Sequence, residues 1–397
     1  MQSTAQRTVE QIDGMLAAPV EADPFTMAKV PAGVDEAEWR EQLKQLVSNE
    51  IRPALQIYRD FIAENVVPAG RSEEEAGLKY LPDGEETYSR LVKQHTSLDM
   101  DPEEIHQIGL DQIAQLDEEY RDLGNEMFGT SDLKAIYAHL RDDEELHFSN
   151  GPDIVKASEA AMAKAKAAMG DWFGRLPKAD CTVAETPTGP IAFYFPPAPD
   201  GSRPGTFFVN TTDPTIWGRY QIEAFAYHEG IPGHHLQLAI AQELEDIPEF
   251  RKHALVTVYA EGWGLYTERL ADEMGLYGTT LDRFGMLAAD SMRAGRLVVD
   301  TGIHAKGWSR EQAIQYVLDN SPLTRGTVEG EVDRYISMPG QALSYMIGRL
   351  EILRMRAEAE ATMGDRFDIK GFHDTVLSSG LVPMPTLDRM VKDCATA

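Results

Sequence analysis

Cysteine is nearly missing from this chain: two in 397 residues, Cys181 and Cys394. Two distant thiols cannot build a disulfide framework, and they are too few for a thiolate zinc site. Any metal must then be held by histidine and carboxylate. Basic charge is short as well, with 37 Lys+Arg against 65 Asp+Glu and a net charge of −28. Such a surface repels phosphate backbones and anionic lipid, so neither nucleic-acid nor membrane partners are expected. No stretch approaches the ~20 uninterrupted apolar residues that cross a bilayer. The first 25 residues lack a basic start followed by an apolar run, so no signal peptide is expected and the default address is the cytoplasm. There is no GxSxG elbow, no glycine-rich dinucleotide fingerprint after a strand, no internal repeat and no low-complexity tract.

What is present is an ordinary globular composition, 43% hydrophobic and 26% charged, which excludes a wholly disordered chain. Residues 1–35 read as a polar N-terminal segment: at most one short helix and a proline-containing linker. From residue 36 to 397 the pattern is that of one helical domain. Leu43, Leu46, Ile51, Leu55, Tyr58 and Ile62 recur at helical spacing, with Pro53 marking a kink or a second start. Pro102 sits in the first turn of a long acidic helix. Only IAFYF and GTFFVN, within 191–210, read as strands, joined by a proline-rich loop with Asp200–Gly201 at its turn. The FFVN strand could add an extended peptide to its edge. The fold class is therefore mainly α with a small β element.

The richest segment is AFAYHEGIPGHHLQLAI, residues 224–240, with His228, Glu229, His234 and His235. In HExxH peptidases two histidines one helical turn apart hold zinc, and the glutamate activates a water. Here the spacing is six or seven residues. On an unbroken helix His228 and His235 would share a face but stand ~10 Å apart along the axis, too far for one ion. Gly230, Pro232 and Gly233 lie between them and can bulge or break the helix. A two-residue bulge would put His234 where the second HExxH histidine belongs, the preferred reading over His235 as that ligand, and would leave His235 behind the ligands or on the substrate side. The third ligand is best sought at Glu261, 27 residues after His234 in an apolar, aromatic helix, with Glu268 as an alternative whose neighbour Arg269 favours a surface ion pair. Two histidines and a glutamate leave zinc one open position, the catalytic arrangement. Later helices offer Arg293, Asp300, His304, Tyr345 and Arg349. Asp300 and His304, four apart, could orient one another. A tyrosine hydroxyl can stabilise an oxyanion, and Arg349 or Arg293 can hold a substrate carboxylate.

HEGIPGHHLQ, YAEGWGLYTE, RLVVDTGIHAKGWSREQAI and RYISMPGQALSYMIGRLEI, with GLKYLPDGEETYSRLVKQHTSLDMDPEEIHQIGL and YFPPAPDGSRPGTFFVNT, resemble the bacterial domain-of-unknown-function family 885 from about residue 50 to the C-terminus. That family is similar to gluzincin-type metallopeptidases, helical enzymes with the active site in a deep channel. The resemblance implies a large helical zincin-like fold with a central channel and zinc at His228, His234 and Glu261. It also implies Glu229 as general base, with His304 and Tyr345 assisting the oxyanion. The expected function is zinc-dependent hydrolysis of short peptides, of the carboxypeptidase, dipeptidase or oligopeptidase kind. The alternatives are metal-dependent hydrolysis of a non-peptide amide or ester, and metal binding without turnover. Nothing in the sequence fixes the oligomeric state.

Overall fold

Helix starts fall where the sequence supplies a side-chain acceptor for the free backbone N–H groups. Asp101 accepts from Glu103 N to open Pro102–Phe128, and Asn150 accepts from Asp153 N to open Gly151–Trp172. Thr279 opens Thr280–Thr301 in the same way, and Ser309 opens Arg310–Asp319 with a reciprocal bond from Gln312. In the computed structural model, which describes residues 1–397, these and the remaining helices build a mainly α fold. Pro102–Phe128 packs along Thr280–Thr301, and Thr257–Glu273 packs along Ser344–Met363. The second pair approaches closely because Gly262 faces Gly348: a Cβ on Gly262 would fall 2.5 Å from the Gly348 Cα. A continuous apolar core draws on residues from Tyr88 to Ala395 and includes the fully buried Tyr120, Tyr227, Tyr259, Trp263 and Tyr266. No helix is long and apolar enough to cross a membrane.

The sheet has three strands: β1 (Cys181–Thr186), β2 (Ala192–Phe195) and β3 (Gly205–Asn210). Their order is β1-β3-β2, with β3 parallel to β1 and antiparallel to β2. The first strand was not expected, because CTVAET carries no aromatic residue and only a weak alternation. Its presence also corrects the expected role of FFVN. That strand is central, both its edges are paired, and no edge remains to add a peptide.

The N-terminal segment is more ordered than its polarity implies. Gln2–Ala17 is a helix that buries Ala5, Val9 and Ile12 on one face, and Ala5 and Val9 pack with Ile62. Arg7 pairs with Asp333, and buried Asp23 pairs with Arg52 at 3.2 Å. At Pro53 the chain does not break. Glu36–Leu46 widens into a π turn at Val47–Ile51 and continues as Arg52–Phe61, which absorbs the missing proline N–H.

Candidate functional site

The GIPG interruption does break the helix. A short helix at Ile222–Phe225 widens to a π turn at Ala226–Gly230, Ile231 is extended, the Ile231–Pro232 bond is cis, and a new helix starts at His234 and runs to Glu243. Only glycine fits at 233, where a Cβ would fall 1.9 Å from the His228 carbonyl oxygen. Trp263 Nε1 donates to Pro232 O at 3.0 Å and fixes the break against helix Thr257–Glu273. The result is that the His228 and His234 rings stand edge to face, 4.7 Å between centroids. Gly264 lets the same helix pass directly under His228, since a Cβ there would lie 2.7 Å from the imidazole Cε1.

That helix brings Glu261 to both rings. Its Oε2 lies 3.5 Å from His228 Nε2 and 3.4 Å from His234 Nε2, and one donor atom from each residue falls within 4.8 Å of the others. A tetrahedral zinc with ligand bonds of about 2.0–2.1 Å has edges of about 3.3–3.4 Å. The donor set and two of its three edges therefore fit a zinc-sized ion. His228 is buried, whereas the side chains of His234 and Glu261 retain 12% and 21% exposure, so the centre opens to solvent on their side.

A second carboxylate stands behind His228. Glu268 Oε1 lies 2.7 Å from His228 Nδ1, with both side chains buried. A proton on Nδ1 donated to Glu268 would hold the ring and, where a metal replaces the proton on Nε2, leave that atom's lone pair for the ion, the arrangement that orients metal-binding histidines. Burial alone would push the His228 imidazole down, but Glu261 and Glu268 outweigh it and raise it to about 9. Burial would likewise raise the Glu261 carboxyl, yet the two imidazoles hold it well below the usual range. The pocket thus favours positive charge. The sequence signal for Glu268 was its distance from Glu261: seven residues, nearly two turns, on the same helix face. The expected partner Arg269 instead reaches Glu119 at 2.7 Å and Asp290 at 2.5 Å.

Glu229 follows His228 on the π turn, half-buried and free of any hydrogen bond or ion pair, and its charge acts on His228. Tyr345, from Ser344–Met363, stacks near the His228 ring at 6.4 Å. Arg293 is buried with Nη2 3.6 Å from Glu268 Oε1, so it faces Glu268 and not open space.

Four expected roles do not match the positions found. His235 is buried, with Nδ1 2.9 Å from the Tyr194 hydroxyl and Nε2 3.1 Å from Ala179 O, so it ties the helix to the sheet and cannot meet substrate. His304 is also fully buried. Its Nδ1 accepts from Leu78 N at 3.2 Å, and Nε2 lies 3.0 Å from Tyr335 O, which leaves no nitrogen for an oxyanion. Burial lowers it to about 4. Asp300 does not orient it, because that carboxylate takes the Tyr88 hydroxyl at 2.6 Å and Gly340 N at 3.0 Å. Arg349 is spent on Asp290 at 2.5 Å and Gln112 at 3.0 Å, inside the packed helices, so it is not available as a substrate anchor.

A family model described as "Bacterial protein of unknown function (DUF885)" matches residues 1–391. No curated protein matches. Among solved structures, "the putative lipoprotein from Colwellia psychrerythraea" is 31% identical with a TM-score of 0.93, over 99% of this chain and 70% of that one. "A putative lipoprotein of unknown function from Shewanella oneidensis" shares the fold at 22% identity and a TM-score of 0.75, over 99% of this chain and 73% of that one. Both descriptions are of lipoproteins, which overturns the expected cytoplasmic address. That expectation rested on two absences, a signal-like start and an apolar run of bilayer length, and neither absence reports where a chain works.

Proposed function

The chain belongs to the DUF885 family of bacterial proteins of unknown function, and from that premise we propose that it is a zinc-dependent hydrolase of short peptides. The observation that carries the proposal is the placement of two imidazole nitrogens at 3.5 and 3.4 Å from one oxygen of Glu261, backed by Glu268 on the far side of His228. The fold would then be of the zincin-like, gluzincin kind, with a channel reaching His234 and Glu261 from the side on which they are partly exposed. His228, His234 and Glu261 would hold the ion. Zinc bound there would supply a Lewis acid for the scissile carbonyl and acidify a water. Glu229, unpartnered on the adjacent turn, would accept a proton at its carboxylate as a water oxygen bonds to the scissile carbonyl carbon, and would return it to the amine nitrogen as the C–N bond breaks. The Tyr345 hydroxyl donates to the oxygen on which negative charge develops. Glu268 keeps the His228 imidazole in one orientation. By analogy with the Colwellia protein, the working place is outside the cytoplasm on a lipid anchor, and cell fractionation checks it.

The test is zinc content together with hydrolysis of a peptide library by wild type and Glu229→Gln. The proposal expects about one zinc per chain in both, and a 10²–10⁴-fold loss of turnover in the variant. A zinc-loaded wild type that cleaves no peptide, or a Glu229→Gln variant as active as wild type, rejects it.

A further inference from the structure

Tyr345 touches a second group of charges, which the hydrolase proposal leaves unused. Arg296, from Thr280–Thr301, lies over the Tyr345 ring with its guanidinium carbon 4.3 Å from the centroid. Arg334, from Arg325–Ser337, donates to Gln341 Oε1 at 2.5 Å and to Glu331 Oε2 at 3.0 Å. That one Glu331 oxygen also accepts from Arg296 at 2.7 Å and from the Tyr335 hydroxyl at 2.7 Å. Two guanidiniums therefore hydrogen-bond to a single carboxylate; the other acid whose charge meets Arg334, Asp300, is pushed up to about 7 by burial and already accepts from Tyr88 and Gly340. Arg296 is 4% exposed, and its Nη1 is buried without a hydrogen-bond partner. An incompletely matched buried cation is costly, which points to an anion that completes the cluster. The route in is Arg334, whose side chain keeps 29% exposure.

We propose that Arg334 and Arg296 form a subsite for the C-terminal carboxylate of a short peptide whose scissile bond lies at the His228, His234 and Glu261 centre. The choice of a peptide rests on the hydrolase proposal; the carboxylate subsite itself does not. The steps of 6.4 Å from the His228 ring to Tyr345 and 4.3 Å from Tyr345 to Arg296 bound the separation. At ~3.3 Å per extended residue that span holds no more than about three residues, so the fragment released from the C-terminus is short. The planar guanidinium fork suits a carboxylate, whereas a C-terminal amide offers it one oxygen and no charge. The anchor expected at Arg349 is thereby moved to Arg334, whose side chain keeps an open side, with Arg296 behind it.

The experiment titrates N-acetyl-trialanine, as free acid and as C-terminal amide, into the full chain by calorimetry, with and without chelator. Wild type is expected to bind the acid at least tenfold more tightly than the amide even with chelator present, which separates the arginines from direct binding to zinc. Arg334→Gln should shrink that ratio below threefold, and Arg334→Lys should keep part of it. Equal binding of acid and amide by wild type, no binding of either, or an unchanged ratio in Arg334→Gln overturns the subsite. If Arg334→Gln does not fold, the wild-type ratio and Arg334→Lys still decide. A preserved acid preference without zinc or hydrolysis would reject the hydrolase proposal alone; zinc-dependent hydrolysis without an acid preference would reject the subsite alone.

Discussion

Removing Glu268 tests whether the candidate centre is a built metal site or a chance meeting of side chains. Its Oε1 is 2.7 Å from His228 Nδ1, and the two side chains are 1% and 3% exposed. A charge-assisted hydrogen bond in such a place contributes about 1.5–3 kcal/mol, and loss of an outer partner of a metal-binding histidine weakens the metal by about 10–100-fold. Glu268→Gln keeps the shape and an acceptor but drops the charge, so about tenfold weaker zinc binding is expected. Glu268→Ala frees the imidazole to turn and strands Arg293, whose guanidinium is 3.6 Å from the same oxygen, so about 100-fold is expected together with a lower melting temperature. Competition against a chromophoric chelator gives the affinities, and circular-dichroism melting reports the fold. Two folded variants that bind zinc within twofold of wild type would refute the reasoning.

Further outcomes follow from the same geometry. Gly264→Ala pushes a methyl group to 2.7 Å from His228, so zinc binding should be lost while melting shifts by only a few degrees; an unaltered zinc affinity contradicts the close approach. His304→Gln should lower stability but leave zinc stoichiometry and peptide turnover of the remaining folded protein near wild type, because both ring nitrogens serve the backbone. The folded His304 titrates near 4 and the unfolded near 6.5, so the unfolded state binds more protons between these values. Its contribution to stability is present above pH 6.5 and is lost as pH falls to about 4. Denaturation across that window should show a shallower acid loss for His304→Gln than for wild type, and equal slopes would sink the assignment. Arg349→Met leaves Asp290 with one arginine in place of two and should cost a few kcal/mol in urea unfolding with little change in the acid-over-amide preference.

Much of the architecture was legible because it is local. Caps, helical periodicity and the aromatic pair of strands are written within a few residues of where they act. The meeting of His228 with His234 could also be read, since Gly230, Pro232 and Gly233 forbid a regular helix between them. The misassigned residues share a different cause. His235 is taken by Tyr194 and Ala179, His304 by Leu78 and Tyr335, and Arg349 by Asp290 and Gln112. Each partner lies 31 to 237 positions away in the chain. A polar residue in an apolar helix announces only that it will find a partner; whether that partner is substrate or backbone depends on which helices pack together. Strand β1 was missed for the same reason, as it is held by pairing with β3 across 24 positions and not by its own composition. Glu268 was hidden by an attractive neighbour: the adjacent Arg269 implied a local pair, while packing sent the two side chains to opposite partners.

Zinc-edge anomalous diffraction from crystals grown with zinc bears most directly on the central claim. A single peak within about 2.0–2.2 Å of His228 Nε2, His234 Nε2 and a Glu261 oxygen, with room for a fourth ligand on the solvent side, is the result predicted. A peak elsewhere, or none at these three side chains in fully loaded crystals, would contradict the account.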